Sequence, residues 1–323
     1  MFFFYSIIYS LIILFIERKN NIQIDFHPDV TEYFERADQE MLSSFIENPF
    51  QFLGKFYYVI VSYFIDNIEF LIILNILAYS LTNYILYLII KNIFSKRNFL
   101  YSIFILIIIF NPYRAHLAVH PLKDTLIILS LVFSFFSSSI VINFIFIFLG
   151  FMLRLSFYVY LPIFFVSIKK KLFFFIFAFL FSIILFYFSS VMFDAIENTA
   201  DMTNRSFDNV YNFINFDFPF AQILRGIAWP VIRITGLAVL FHPFYFLFLL
   251  QSVALMYIIY VNRRYVDYRV VFFILPLIAL AVVSSGYNSY LRYSEPLITI
   301  FSFWLAALPT KYVKNFKVKK KKY

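Results

Sequence analysis

Residues 111–130 read NPYRAHLAVHPLKDTLIILS. The run before them, LYSIFILIIIF at 100–110, is almost wholly apolar, and an apolar run resumes after Thr125. Between the two stand Arg114, His116, His120, Lys123 and Asp124. Ionisable groups placed so close to apolar runs need partners, a wet cavity or an interface, because burying them unpaired is costly. The fold depends on what the flanking runs are.

They belong to a chain of 323 residues that is 63% hydrophobic and 14% charged. A soluble domain is nearer half apolar and a quarter charged. Further runs, such as FIFIFLGFML (144–153) and KLFFFIFAFLFSIILFYFSS (171–190), are equally apolar. About 20 such residues cross a bilayer as a helix, so the composition predicts a polytopic membrane protein that is all-α. With no cysteine there is neither a disulfide framework nor thiol chemistry. The first sixteen residues carry no preceding charge and no small-residue cleavage site, and read as a retained first helix.

Lys and Arg in short loops mark the cytoplasmic side. The clusters are KNIFSKRN (91–98), IKKK (168–171), NRRYVDYR (262–269) and the basic tail 310–323. The net charge of +9 owes much to that tail, which reads as a membrane-surface anchor and not as a nucleic-acid site. The intervening loops, 17–67 and 192–242, are rich in Asp and Glu. Ten spans satisfy this alternation: 1–16, 68–90, 99–111, 124–139, 140–153, 155–168, 172–191, 243–261, 270–286 and 293–309. Both termini are then cytoplasmic, and residues 1–323 form a single integral membrane domain. Segments 50–66 and 222–241 are left over and read as interfacial or re-entrant helices on the outer side. Loops 17–67, 111–124, 192–242 and 287–292 share the outer face.

That face gathers the unusual side chains. Its cations include Arg114, Lys123, Arg154, Arg225, Arg233 and Arg292. Guanidinium forks match phosphate oxygens, so a lipid-linked phosphate is the ligand such a set would hold. For each of them snorkelling to the interface is the plainer account. Arg154 and Arg233 stand out because they lie inside apolar runs, GFMLRLSFYVY and PVIRITGL. Among the acids, Asp25 and Asp29 lie four apart near the membrane and are candidates to deprotonate or orient an acceptor hydroxyl. The plainer account is an amphipathic helix over DVTEYFERADQEM with its capping acids.

His116, His120 and Asp124 have a spacing that on one continuous helix would suggest zinc. Pro121 interrupts that helix, so the three are not expected to line up, and no metal is assigned. HPLKDT instead reads as the opening of the helix that follows. His120 and Lys123 then flank a helix N-terminus, which favours an anion, and Asp124 complements its dipole. No nucleotide-binding glycine loop or nucleophile elbow appears, and the chain holds five glycines. A nucleotide-driven pump and a serine hydrolase are thereby set aside, and no cofactor is called for.

Three stretches resemble known families. DFHPDVTEYFERA (25–37) resembles the loop after the first helix of GT-C-type membrane glycosyltransferases. NPYRAHLAVHPLKDTLIILSLVF (111–133) and SGYNSYLRYSEPLITIFSFWLA (285–306) resemble segments of bacterial polysaccharide repeat-unit polymerases, the Wzy and EpsG-like proteins. The resemblance implies a GT-C-like bundle in the bacterial inner membrane. It would join oligosaccharide repeat units carried on undecaprenyl pyrophosphate, as for O-antigen, capsule or exopolysaccharide. Matched residue by residue, Arg114, Lys123, Asp124 and Arg292 would attend the pyrophosphate and acceptor, with Asp25 from the GT-C loop. A chain-length regulator and a flippase of the same pathway are the implied partners. A metal-dependent mechanism would use Asp25 and Asp29 to hold a divalent ion. The alternatives are a GT-C transferase taking a polyprenyl-phosphate sugar, and a transporter or flippase. Tyr33, Tyr113, Tyr211 and Tyr290 are candidate sugar-stacking rings, although an aromatic belt explains such residues equally well.

Overall fold

The first helix, α1 (Phe2–Lys19), is apolar to Ile16 and closes on Glu17, Arg18 and Lys19, the basic pair matching the negative end of the helix dipole. Its packing is inside-out by the standards of a water-soluble protein. Ser6 and Ser10 are fully buried, whereas Phe4 is 65% and Phe15 69% exposed. Small hydroxyl residues let two helices approach closely and can bond across the seam, as they do between membrane helices. Here the Asn83 amide donates to the Ser6 hydroxyl at 3.2 Å.

The computed structural model describes residues 2–23, 27–37, 40–94, 99–137, 139–167, 221–240, 245–284 and 287–308. The expected span 172–191, nearly all of loop 192–242 that precedes Ala221, and the tail 310–323 lie outside them. The described residues form thirteen α-helices and short 3-10 segments, an all-α fold. After α1 come α2 (Pro28–Arg36), α3 (Met41–Glu47), α4 (Phe56–Tyr63), α5 (Ile68–Phe94), α6 (Phe99–Ile109), α7 (Pro112–Ala118), α8 (Asp124–Phe136) and α9 (Ile140–Leu153). Beyond them lie α10 (Ala221–Thr235), α11 (Phe246–Asn262), α12 (Val271–Val283) and α13 (Tyr287–Ala307). The chain divides into two compact units, Met1–Tyr158 with Ser302–Tyr323, and Val159–Phe301.

Among the described residues, three helical segments are long and apolar enough to cross a membrane: Ile68–Lys91, Phe99–Ala118 and Phe246–Tyr265. This corrects the reading of ten spans. Asp124–Phe136 and Ile140–Leu153 are apolar but have 13 and 14 residues. At 1.5 Å per residue they reach about 20 Å, against a hydrocarbon core of about 30 Å. The run 124–153 is broken because Ser137 turns extended and Ser139 caps α9 through the Ile142 amide. The expected span 155–168 is a 3-10 stretch, Leu155–Ser167, with Pro162 inside it. The segments read as interfacial or re-entrant hold short helices: α4 has 8 residues and α10 has 15.

In the first unit α7 wedges between α1 and α5. Ala115, Ala118 and Val119 pack on Ile72, Ile76 and Tyr79 of α5, with Ile7, Tyr9, Ile13 and Leu14 of α1 closing the other side. α7 starts where it does because Pro112 occupies its first turn and the Asn111 side chain accepts from the Tyr113 amide at 2.8 Å. The stretch expected as an outer loop is therefore a buried helix, with Tyr113 through Leu122 all in the interior. In the second unit α10 packs on α11 and α12, its Gly226 lying against Ile278 and Val282. It ends on Gly236, whose φ of +76° suits a residue without a side chain.

Gly150 on α9 shows how tight the first unit is. A Cβ there would collide with the Phe157 ring. Gly150→Ala is expected to lower stability by about 1–3 kcal/mol through overpacking. Thermal unfolding in detergent checks this, with Phe157→Leu added to Gly150→Ala expected to recover part of the loss.

Candidate functional site

Glu17 stands one residue beyond the apolar run of α1 and is buried. Two imidazoles bind its carboxylate. His116 Nδ1 lies 2.7 Å from Oε1, and His120 Nε2 lies 3.0 Å from Oε2. A carboxylate can only accept, which assigns the protons to these two ring nitrogens. Burial by itself would push the Glu17 carboxyl up. The hydrogen bonds and charge of His116 and His120 outweigh it and hold the group below its ordinary value. The third imidazole comes from the segment before α2: His27 Nε2 is 2.9 Å from His116 Nε2. The three rings face one another at 4.7 to 4.9 Å between centroids.

The local chain explains the gathering. α7 ends at Ala118, and His120 sits in the turn before Pro121. The fully buried Asn75 of α5 fixes this turn, donating to the His120 carbonyl at 2.7 Å and the Leu122 carbonyl at 2.9 Å. His27 is the N-cap residue of α2, where Pro28 and Asp29 open the first turn. His116 and His120 meet on the N-terminal side of Pro121, and His27 reaches them from the segment before α2. Asp124 is not their third member.

Asp124 pairs instead with Arg154, Oδ1 to Nη2, at 2.9 Å, both side chains buried. Arg154 also caps α9, its amide bonding the Gly150 carbonyl at 2.9 Å. Arg114 is turned inward: its Nη2 donates to Asn83 Oδ1 at 3.1 Å and to the Ile108 and Ile109 carbonyls that end α6. Its guanidinium lies over the Tyr79 ring at 5.6 Å. The Lys123 ammonium lies 5.4 Å from the centre of the Tyr33 ring. Asp29 is half-buried in α2, and Asp25 lies outside the described residues. Six of the sequence candidates thus fall in the first unit, and Glu17 joins them together with His27 and His116.

Arg225, Arg233 and Arg292 belong to the second unit. Arg233 is fully buried and donates to Gln251 Oε1 and to Glu295 Oε2, the latter at 2.6 Å. Gln251 and Thr299 also donate to Glu295 Oε1, at 2.8 and 3.2 Å. Arg225 stacks over Trp229 at 5.3 Å, and Trp229 meets the rings of Tyr287 and Tyr290. Arg292 is half-buried and lies over its neighbour Tyr293 at 5.2 Å.

Sequence reasoning passed over Glu17, His27 as a partner, and Glu295. The signal for both acids was present. Each lies at or within an apolar run, where an ionisable group demands a partner.

Removing one partner of a buried ion pair leaves the other charge uncompensated, at a cost of about 3–5 kcal/mol, whereas replacing both with apolar groups costs much less. Asp124→Asn is therefore expected to destabilise strongly, and Asp124→Leu with Arg154→Met to restore most of the loss. Unfolding midpoints of the two variants measure the difference. Compared with known protein families, curated proteins and solved structures, the chain finds no match.

Proposed function

We propose that this chain is a bacterial inner-membrane glycan polymerase of the Wzy and EpsG-like kind. On this reading it joins undecaprenyl-pyrophosphate-linked repeat units at the outer face. The observation that carries the reading is the meeting, inside an apolar bundle, of ionisable side chains from separate segments of the chain. The end of α1 (Glu17), the first outer loop (His27), residues 116–124 and Arg154 come together in one unit. A polar cluster set among apolar helices suits chemistry on a lipid headgroup. The exposed apolar faces of α1 and α9 support a lipid setting, with Phe144 75% and Ile140 66% exposed.

In the proposed reaction an acceptor hydroxyl attacks the anomeric carbon of the donor glycan. The bond from that carbon to the pyrophosphate oxygen breaks, and undecaprenyl pyrophosphate leaves with the electron pair. The hydroxyl proton passes to a carboxylate or imidazole of the Glu17, His116 and His120 group. Lys123 in the first unit and Arg225 and Arg292 in the second are half-buried, and each is a separate candidate to attend the pyrophosphate. Arg233 with Glu295, a charge pair inside apolar helices, favours a second reading, a transporter or flippase of the same substrates.

Surface-glycan chain length in a deletion strain separates these readings. With the polymerase absent, the ladder is expected to collapse to a single repeat. Wild type restores it, and Arg292→Ala or Glu17→Gln at equal protein level is expected to slow elongation at least tenfold. Loss of the single repeat as well would favour the flippase, and an unchanged ladder would overturn the glycan reading.

A further inference from the structure

We propose that His27, His116 and His120 form a site for one divalent transition-metal ion of the zinc class, with Glu17 as its supporting carboxylate. Each histidine offers one ring nitrogen, and these atoms lie within 4.8 Å of one another. The inference stands on these four side chains and does not depend on glycan transfer.

The donor chemistry comes first. Imidazole nitrogen suits zinc, cobalt, nickel and copper, whereas magnesium and calcium want oxygen. Zinc binds nitrogen at about 2.1 Å, so tetrahedral ligands stand about 3.4 Å apart. His27 Nε2 and His116 Nε2, at 2.9 Å, are close to that edge already. The third ring nitrogen closes by roughly 1 Å to complete the triangle. His27 and His120 ride on chain segments next to turns, which permits such a shift.

The orientation of the rings fits as well. A metal-bound histidine usually donates its other ring N–H to a carboxylate, which fixes the tautomer and makes the ligating nitrogen more basic. His116 does this with Glu17 at 2.7 Å. Its Nδ1 carries the proton, so in the neutral ring its Nε2 carries a lone pair directed at His27. Asn75 holds the His120 backbone from the other side. Three nitrogens leave a fourth tetrahedral position for water, a substrate oxygen or a Glu17 oxygen.

The consequence is mechanical as well as chemical. His27 lies 89 residues from His116 in the chain. An ion shared by the two would pin the start of α2 onto α7 and the end of α1, so metal binding would be coupled to the order of the first loop.

The test uses the full chain purified in detergent, stripped with chelator and titrated with zinc chloride by calorimetry. Limited proteolysis of residues 20–40 is followed in parallel. Wild type is expected to bind one zinc per chain, to give the visible spectrum of tetrahedral cobalt when cobalt replaces zinc, and to show slower cleavage of that segment with zinc. Magnesium is expected to do neither. His27→Ala is expected to weaken zinc binding at least a hundredfold, and Glu17→Gln ten- to a hundredfold. Glu32→Gln, an α2 carboxylate outside the cluster, is expected to bind as wild type. His27 is half-buried beside a turn, so its variant keeps the test usable if His116→Asn fails to fold. Absence of stoichiometric zinc, or wild-type affinity in folded His27→Ala, would overturn the site. A glycan ladder unaffected by deletion would sink the proposed function and leave zinc binding standing.

Discussion

A charge buried among apolar helices must find its counter-group inside the protein, and that requirement organises both units. Glu17 is satisfied by His116 and His120, Asp124 by Arg154, and Glu295 by Arg233 with Gln251. These contacts join positions 30 to 103 residues apart in sequence. Apolar side chains do not discriminate between neighbouring helices and lipid, so packing by itself leaves helix order and rotation loosely specified. Directional ion pairs and hydrogen bonds supply the missing choice of partner. Arg114 does the same within a short span, tying the end of α6 to Asn83 of α5.

The proposed metal site follows from the same constraint. Three imidazoles and one carboxylate lie at the meeting point of α1, α7 and the start of α2. Hydrogen bonding satisfies most of the group, yet two Nε2 atoms still face each other at 2.9 Å. Only one donor proton between them, or one cation, makes that approach favourable. A cation there would be chemistry of a different kind from the Arg–phosphate recognition proposed for the second unit, and the two do not require each other.

Much of this was legible in the sequence. Apolar runs showed an all-α fold, HPLKDT marked the opening of α8, DVTEYFERADQEM suggested the helix that is α2, and Arg154 and Arg233 stood out as charges inside apolar stretches. The span count was not legible, because hydropathy does not register Ser137 turning extended or Pro162 spoiling a helix. The partners were not legible either. Pro121 argued against His116, His120 and Asp124 lining up on one helix, which bears on Asp124 and not on rings that precede the proline. The turn at 119–123 folds the second ring back over the first, and the third ring arrives from a remote segment. Periodicity carries no information about such tertiary approaches.

The separation of Glu17 from its two histidines, 99 and 103 residues, bears on how the protein is made. A ribosome adds about 5–20 residues per second, so α1 precedes its counter-groups by roughly 5–20 s. Throughout that interval the carboxyl at the end of α1 lacks the two imidazoles that hold it in the folded chain. A nascent first helix that paused too deep in hydrocarbon would have to take up a proton there. The partners of Glu17 therefore arrive only with residues 116–120, long after α1 itself has been made.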